Sequence, residues 1–283
     1  MTGTGQDAAK LASDTAALEP QRHEALLQEL RERAINIEGK IDQLIRSDPS
    51  ISPNNTTGHP DQAFGGRTYA QAGEDLIVLN LFHRLGIERP HYLDVGAHHP
   101  FNVSNTALLY FRGSRGINVE ANPNLIGNFL KARPEDITIN AGVGPEAGVL
   151  DFYMIDNESG RNSFDRQTVE DFVRNNPAFK VTEVRQIEVM TLTDIISRYA
   201  DARYPEFLSL DVEGWDRRIL ETTSFADRGP LVICVESLSG NEADDSDALE
   251  ATMTRQGYRL YHRTIGNLIF TSPEVTQRLG GRL

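Results

Sequence analysis

YLDVGAHHPFNVSNT, Tyr92 to Thr106, reads as a strand that runs into a ligand-binding turn and then a helix. Only one glycine, Gly96, stands in the turn. A dinucleotide fingerprint needs further glycines two and five residues on, and those positions hold His98 and Phe101. Such glycines admit a pyrophosphate against the backbone. Their absence points to a ligand that lacks one.

Outward from this stretch, from Tyr69 onward, strands and helices alternate. Strands are expected at His91–Val95, Gly116–Glu120, Ile137–Val143, Phe207–Val212 and Leu231–Ser237, and helices at Val103–Tyr110, Pro123–Ala132, Trp215–Thr222 and Ser246–Gln256. Near-continuous apolar strands separated by helices call for a mostly parallel sheet covered on both faces. The alternation is interrupted at about 149–200, where VLDFYMI and VRQIEVM offer one or two extra strands around a polar middle, SGRNSFDRQ. At the end, YRLYHRTIGNLIFTS places two alternating runs around Gly266-Asn267, a tight-turn dipeptide, so the sheet is expected to finish in an antiparallel pair.

In such sheets ligands bind beyond the carboxyl ends of the strands. The second strand ends in Glu120, 24 residues past Gly96, about the distance at which an acid takes up ribose hydroxyls. A ribose-bearing ligand without phosphate, held among acids, suggests S-adenosylmethionine. Its sulfonium cation also favours carboxylates such as Asp94 and Asp211.

The chain of 283 residues, 39% apolar and 24% charged, suits one large soluble domain with an appendage. A net charge of −13 argues against a nucleic-acid partner, since phosphate contacts need a basic surface. No apolar run approaches the ~18 residues of a membrane span, and the first residues lack a signal peptide's pattern. The single cysteine, Cys234, lies in the apolar run LVICVE and reads as a buried thiol, which fits a cytoplasmic setting. Residues 1–48 read as a helical extension. Within 20–46, Leu27, Leu30, Ala34, Ile37, Ile41 and Leu44 follow a coiled-coil seam. The stripe serves either a homo-oligomer or packing on the same chain. Residues 49–68 read as a linker.

AQAGEDLIVLNLF (70–82), YLDVGAHHPFNVSNT (92–106), GINVEANP (116–123), EFLSLDVEGWD (206–216) and VICVES (232–237) together resemble the FkbM family of S-adenosylmethionine-dependent methyltransferases. The resemblance runs through residues 69–272. It implies a Rossmann-like class I methyltransferase fold over residues 69–283, an α/β architecture with a seven-stranded mostly parallel sheet and a C-terminal antiparallel hairpin. It also implies O-methylation of sugar hydroxyls in glycans or glycosylated metabolites. Carried over residue by residue, Gly96 and Ala97 form the turn under the methionine moiety, Asn105 holds its carboxylate and Glu120 takes the ribose beside Ala121. Ala141 and Gly142 flank the adenine, and Gln71 and Glu74 close over the cofactor. Asp94 is expected either to touch the cofactor or to brace the turn. For His98 and His99 steric or capping roles are preferred to catalysis.

Asp211 and Glu213 end the fourth strand on one side of it, and Glu236 ends its neighbour. A sugar hydroxyl is protonated at neutral pH and needs help to become a nucleophile. Asp211 with Glu236 resembles the metal site of related small-molecule O-methyltransferases, which implies a candidate Mg²⁺ site that would lower the hydroxyl pKa. Alternatively, Asp211 or Glu213 serves as general base. His262 is a weaker candidate base. Trp215 is read as packing rather than substrate stacking. Asn162, Ser163 and Phe164 are candidate acceptor contacts, with Arg161 and Arg166 beside them. A nucleotide-sugar oxidoreductase or epimerase is disfavoured by the missing glycines and by the lysines: none of Lys10, Lys40, Lys131 and Lys180 has a tyrosine four residues earlier. A non-catalytic scaffold of the same fold is the other alternative.

If residues 20–46 drive self-association, deleting them lowers the solution mass measured by light scattering from oligomer to monomer. An unchanged mass removes that role from the helix.

Overall fold

The computed structural model describes residues 68–280, apart from 213, 226–227 and 238–245. The expected N-terminal helix (20–46), almost all of the expected linker (49–68) and Glu213 therefore lie outside the described residues.

Helix α1 (Glu74–Arg84) leads into strand β1 (Tyr92–Val95), helix α2 (Ala107–Phe111), β2 (Gly116–Glu120), α3 (Ile126–Ala132) and β3 (Ile137–Asn140). A second set follows: β4 (Gly142–Val143), β5 (Gly148–Met154), α4 (Arg166–Asn175), β6 (Glu183–Met190) and α5 (Leu192–Tyr199). The chain then returns through β7 (Phe207–Leu210), α6 (Asp216–Thr222), β8 (Val232–Glu236), α7 (Ser246–Arg255), β9 (Arg259–Arg263), β10 (Asn267–Thr271) and α8 (Pro273–Arg278). Seven strands form one sheet in the order β3-β2-β1-β7-β8-β10-β9. β10 runs antiparallel to both β8 and β9, and the pairs from β3 to β8 are parallel. The order reverses between β1 and β7, which places a crevice beyond the carboxyl ends of these two strands.

All four residues of β1 and of β7 are buried, as expected of strands with both faces covered. Alternate residues feed two cores. Leu93, Val95, Leu208, Leu210, Ile233 and Val235 face one; Tyr92, Phe207, Val232, Cys234 and Ile269 face the other. Asp94, Ser209 and Cys234 lie in one row by strand register. Asn105 closes that row, its amide donating to Ser209 Oγ at 3.2 Å and to Cys234 Sγ at 3.7 Å.

The expected strand Ile137–Val143 is two. β3 pairs with β2, and the chain then turns at Ala141, whose N–H donates to Glu120 O at 3.1 Å. Gly142 and Val143 pair instead with Val189 and Met190 of β6. A second sheet, β4-β6-β5, is thus built from the interrupting segment. The helix expected from Val103 begins only at Ala107, because Val103 sits at φ 52°. A β-branched residue there is a genuine outlier.

Beneath the sheet's tips lies a buried polar cluster. Arg133 and Asp136 are ion-paired at 2.9 Å with no side-chain exposure. Asp136 also accepts from Tyr92 Oη at 2.7 Å, Asn118 Nδ2 at 3.0 Å and Gly116 N at 2.9 Å. Arg133 donates further to Tyr92 Oη at 2.7 Å, Thr106 Oγ1 at 3.0 Å and Pro100 O at 3.3 Å. The Thr106 hydroxyl in turn donates to Asp94.

Gly96 has φ 75°, and a Cβ there would lie 1.7 Å from the carbonyl oxygen of Asp211. Its N–H and that of Ala97 both donate to Val119 O, at 3.0 and 3.1 Å, while Asp211 N donates to Val95 O at 3.0 Å. Three residues beyond Gly96, His99 Nδ1 accepts from Phe101 N at 3.1 Å and Asn102 N at 2.8 Å, the capping role expected for it. Burial, helped by the neighbouring His98, lowers the His99 pKa to about 4.

Gly86 supplies the control for Gly96: its φ is 71° and nothing lies within 4 Å of its Cβ position. Gly86→Ala is expected to cost only the left-handed strain, about 1–2 kcal/mol, at roughly 2–4 °C of Tm per kcal/mol. Gly96→Ala must also displace a backbone carbonyl and should lose at least twice as much in calorimetry. Equal losses would show the close approach to be without consequence.

A second test uses pH. His99 titrates at about 4 in the folded chain and near 6.5 when unfolded, so its contribution is full above the latter and is lost as pH falls through the former. His99→Asn keeps an acceptor and removes the titration. Between pH 6.5 and 4 the wild type should lose, relative to that variant, on the order of 1 kcal/mol of unfolding free energy once solvent screening is allowed for.

Candidate functional site

A cavity of about 590 Å³ opens over the switch point, lined by Gly96, Glu120, Ala121, Ala141, Gly142, Asp211 and Glu236, with Gln71 at its rim. Eight residues named from the sequence thus meet in one place. Asn122, Val103, Phe152 and Ser159 also line it and were not singled out from the sequence.

Glu120 is 6% exposed. Its Oε2 accepts from His98 N at 2.8 Å and its Oε1 from Asn122 N at 2.6 Å. Two backbone donors thus fix the carboxylate, and each oxygen keeps a lone pair for a further donor. Burial is the larger influence on its acidity and raises the pKa, against these hydrogen bonds, which lower it. His98 reaches its position through a φ of 49°. Its ring Nε2–H donates to Glu158 O at 2.8 Å, which fixes the tautomer, since a carbonyl only accepts.

Asp211 and Glu236 emerge from neighbouring strands, and their side chains are hydrogen-bonded to one another. Two carboxyls in that relation share a proton. Desolvation, then the charge of Asp216, pushes the Asp211 pKa up to about 7, against the bond from Glu236. Asp216 went unremarked in the sequence. It is buried, and its carboxylate accepts from Val212 N at 3.0 Å and Gly214 N at 3.3 Å, closing the turn after β7. Among the described residues no group of three or more His, Cys, Asp or Glu is arranged to hold a metal ion.

Four expected contacts are placed elsewhere. Glu74 does not line the cavity. Its carboxylate is fully buried and accepts from Thr264 Oγ1 at 2.6 Å, Asn267 Nδ2 at 3.1 Å and Ala72 N at 2.8 Å, tying α1 to the C-terminal hairpin. Asp94 is likewise turned into the protein, where desolvation raises its pKa and Arg133 and Thr106 lower it. Of its two readings, bracing the turn is the one its contacts match. Asn105 lies on the strand row below the cavity rather than on its wall, and Ala97 is buried behind the turn.

The segment between β5 and β6 forms the outer wall. Asn162 is committed to that segment's own backbone, accepting from Ile155 N at 2.8 Å and donating to Asp156 O at 2.9 Å. Phe164 lies on Gly142, where a Cβ would meet its ring at 2.3 Å. It stacks on Trp215, with centroids 5.6 Å apart and planes 21° apart, so Trp215 packs as read from the sequence. Arg161 lines the cavity, whereas Arg166 points to Glu170 at 2.6 Å. His262 stands on β9, away from this lining.

No curated protein sequence matches the chain. The family model described as the Methyltransferase FkbM domain matches residues 94–260. That span begins inside β1, holds Glu120, Asp211 and Glu236, and covers more than half of the sequence. The chain belongs to the FkbM methyltransferase family.

Proposed function

We propose that this methyltransferase uses S-adenosylmethionine and transfers the methyl group to a hydroxyl of a saccharide or glycosylated metabolite. One observation carries the reading: Glu120, oriented by two backbone N–H groups, faces a cavity whose glycine turn lacks the further glycines of a pyrophosphate site. The free lone pairs of its carboxylate suit the two hydroxyls of a ribose. Ala121, Ala141, Gly142 and Phe152 supply an apolar slot for the base. Gly96 and Gln71 bound the side on which the sulfonium group belongs, next to Asp211. When bound, the cofactor supplies an electrophilic methyl group that needs no further activation.

What the acceptor needs is removal of its proton, and the Asp211–Glu236 pair is suited to take it. A base titrating near neutrality has both a populated charged form and enough basicity. The sign follows: the pair accepts a proton only once it is ionised, so the rate should rise with pH through about 7. The same two carboxylates would serve Mg²⁺ as oxygen ligands, which commonly takes one or two from a protein. A saccharide acceptor rests on the FkbM resemblance, and polar groups at the outer wall, Ser159 and Arg161, suit it. A cytoplasmic setting is part of the proposal, supported by the buried free thiol of Cys234. No described helix is long and apolar enough to cross a membrane.

S-adenosylhomocysteine is expected to raise the Tm of the purified chain, while NAD leaves it unchanged. The opposite pattern would return the chain to the oxidoreductase alternative. Glu120→Gln should weaken S-adenosylhomocysteine binding by about tenfold or more in calorimetry, because an amide cannot accept from both hydroxyls and both backbone groups.

Asp211→Asn should lower kcat by about 10²–10⁴-fold with affinity for the uncharged S-adenosylhomocysteine retained. An active Asp211→Asn enzyme would sink the base assignment, and wild type that binds cofactor but turns over no saccharide would favour the scaffold alternative. Loss of methyl transfer in EDTA, restored by Mg²⁺, would assign the pair to the metal; activity indifferent to chelation assigns it to the proton.

A further inference from the structure

The segment joining β5 to β6 reaches back across the cavity and is tied down at two points on the opposite rim. Asp156 organises its turn, the carboxylate accepting from Glu158 N at 2.8 Å and Ser159 N at 2.6 Å. From the loop after β1, His98 donates to Glu158 O at 2.8 Å. From the loop after β2, Asn122 Nδ2 donates to Asn157 O at 2.9 Å. These two residues are also the ones whose backbone N–H groups hold the Glu120 carboxylate. Each therefore grips the acid with its main chain and the covering turn with its side chain. The left-handed backbone at His98 makes this double grip possible, since it aims the N–H inward at Glu120 while the ring reaches outward.

From this juxtaposition we infer that His98 and Asn122 are positioning residues that latch the 156–161 turn over Glu120, so that the turn is the outer wall of the nucleoside site and slows ligand release. The inference rests on the proposed cofactor site and adds to it. It gives the pair of histidines after Gly96 a division of labour: His99 caps its own loop, and His98 joins that loop to the second sheet. Gly160, which lines the cavity, lies in the same turn, its Cβ position in ordinary contact with the His98 ring at 3.8 Å.

Two substitutions break the latch without disturbing the acid. His98→Asn keeps a residue type that tolerates the left-handed backbone, and so keeps the N–H to Glu120, but its short amide cannot reach Glu158. Asn122→Ser keeps a neutral side-chain oxygen that can accept from Asn124 N, as the Asn122 oxygen does at 3.1 Å, and is too short to donate to Asn157. On the full chain, stopped-flow release of S-adenosylhomocysteine should be about three- to tenfold faster in either variant, the range expected for one hydrogen bond. Association rates and ligand-free Tm should stay close to wild type. Amides of residues 157–161 should exchange with solvent about tenfold faster in the ligand-free variants. Equal release and equal exchange in all three proteins overturn the latch while leaving the cofactor site intact. Failure of the wild type to bind S-adenosylhomocysteine overturns the functional reading and this wall with it.

Discussion

The carbonyl oxygen of Asp211 occupies the space where any residue but glycine at position 96 would carry its Cβ. Everything at the tip of the sheet follows from that approach. It brings the chain leaving β7 against the turn leaving β1, and the N–H groups of Gly96 and Ala97 tie the same turn to β2 through Val119. Three strand ends are thereby gathered around one point. Glu120 arrives from one side and Asp211 from the other, with Glu236 beside it on the next strand. The glycine is needed for contact between two parts of the protein's own backbone, as well as for whatever lies above it.

Support from below is electrostatic. The Arg133 guanidinium, buried without exposure, faces Asp136 directly and Asp94 through the Thr106 hydroxyl. A buried ion pair owes its tolerability to the hydrogen bonds that satisfy its remaining atoms, and removing one partner of such a pair commonly costs about 3–5 kcal/mol. Here the partners are drawn from the starts of β1 and β2, the loop beyond Gly96 and the front of α2. The cluster therefore fixes a loop whose own sequence, with residues at φ 49° and 52°, would not hold that shape unaided. Strain at the rim and neutralised charge beneath it are two halves of one arrangement.

Strands β1, β2, β7 and β8 were legible because each is a nearly continuous apolar run, and burial on both faces leaves such a run few alternatives. Gly116–Glu120 is read residue for residue. That Glu120 and Asp211 stand at the cavity was legible from their places at strand ends. Where the reading slipped, the deciding partner was distant in sequence. ITINAGV looks like one strand, and only Val189 and Met190, dozens of residues on, draw Gly142 and Val143 into another sheet. Glu74 looks like a cofactor ligand until Thr264 and Asn267 come round from the far end of the chain to bury it. Asp216 gave no local signal either, being one acid at the front of a helix, and its effect on Asp211 exists only once the turn at Gly214 has folded it back.

The changeover at Ala141 separates two parts of the molecule mechanically. Because the chain leaves one sheet for the other at that residue, the three-stranded layer is attached beside the cavity, and the excursion between β5 and β6 hangs from it like a separate jaw. Its length and composition can drift without re-registering any of the seven strands that carry the acids. The seven-stranded sheet and the acids at its tips are thereby insulated from changes in that segment.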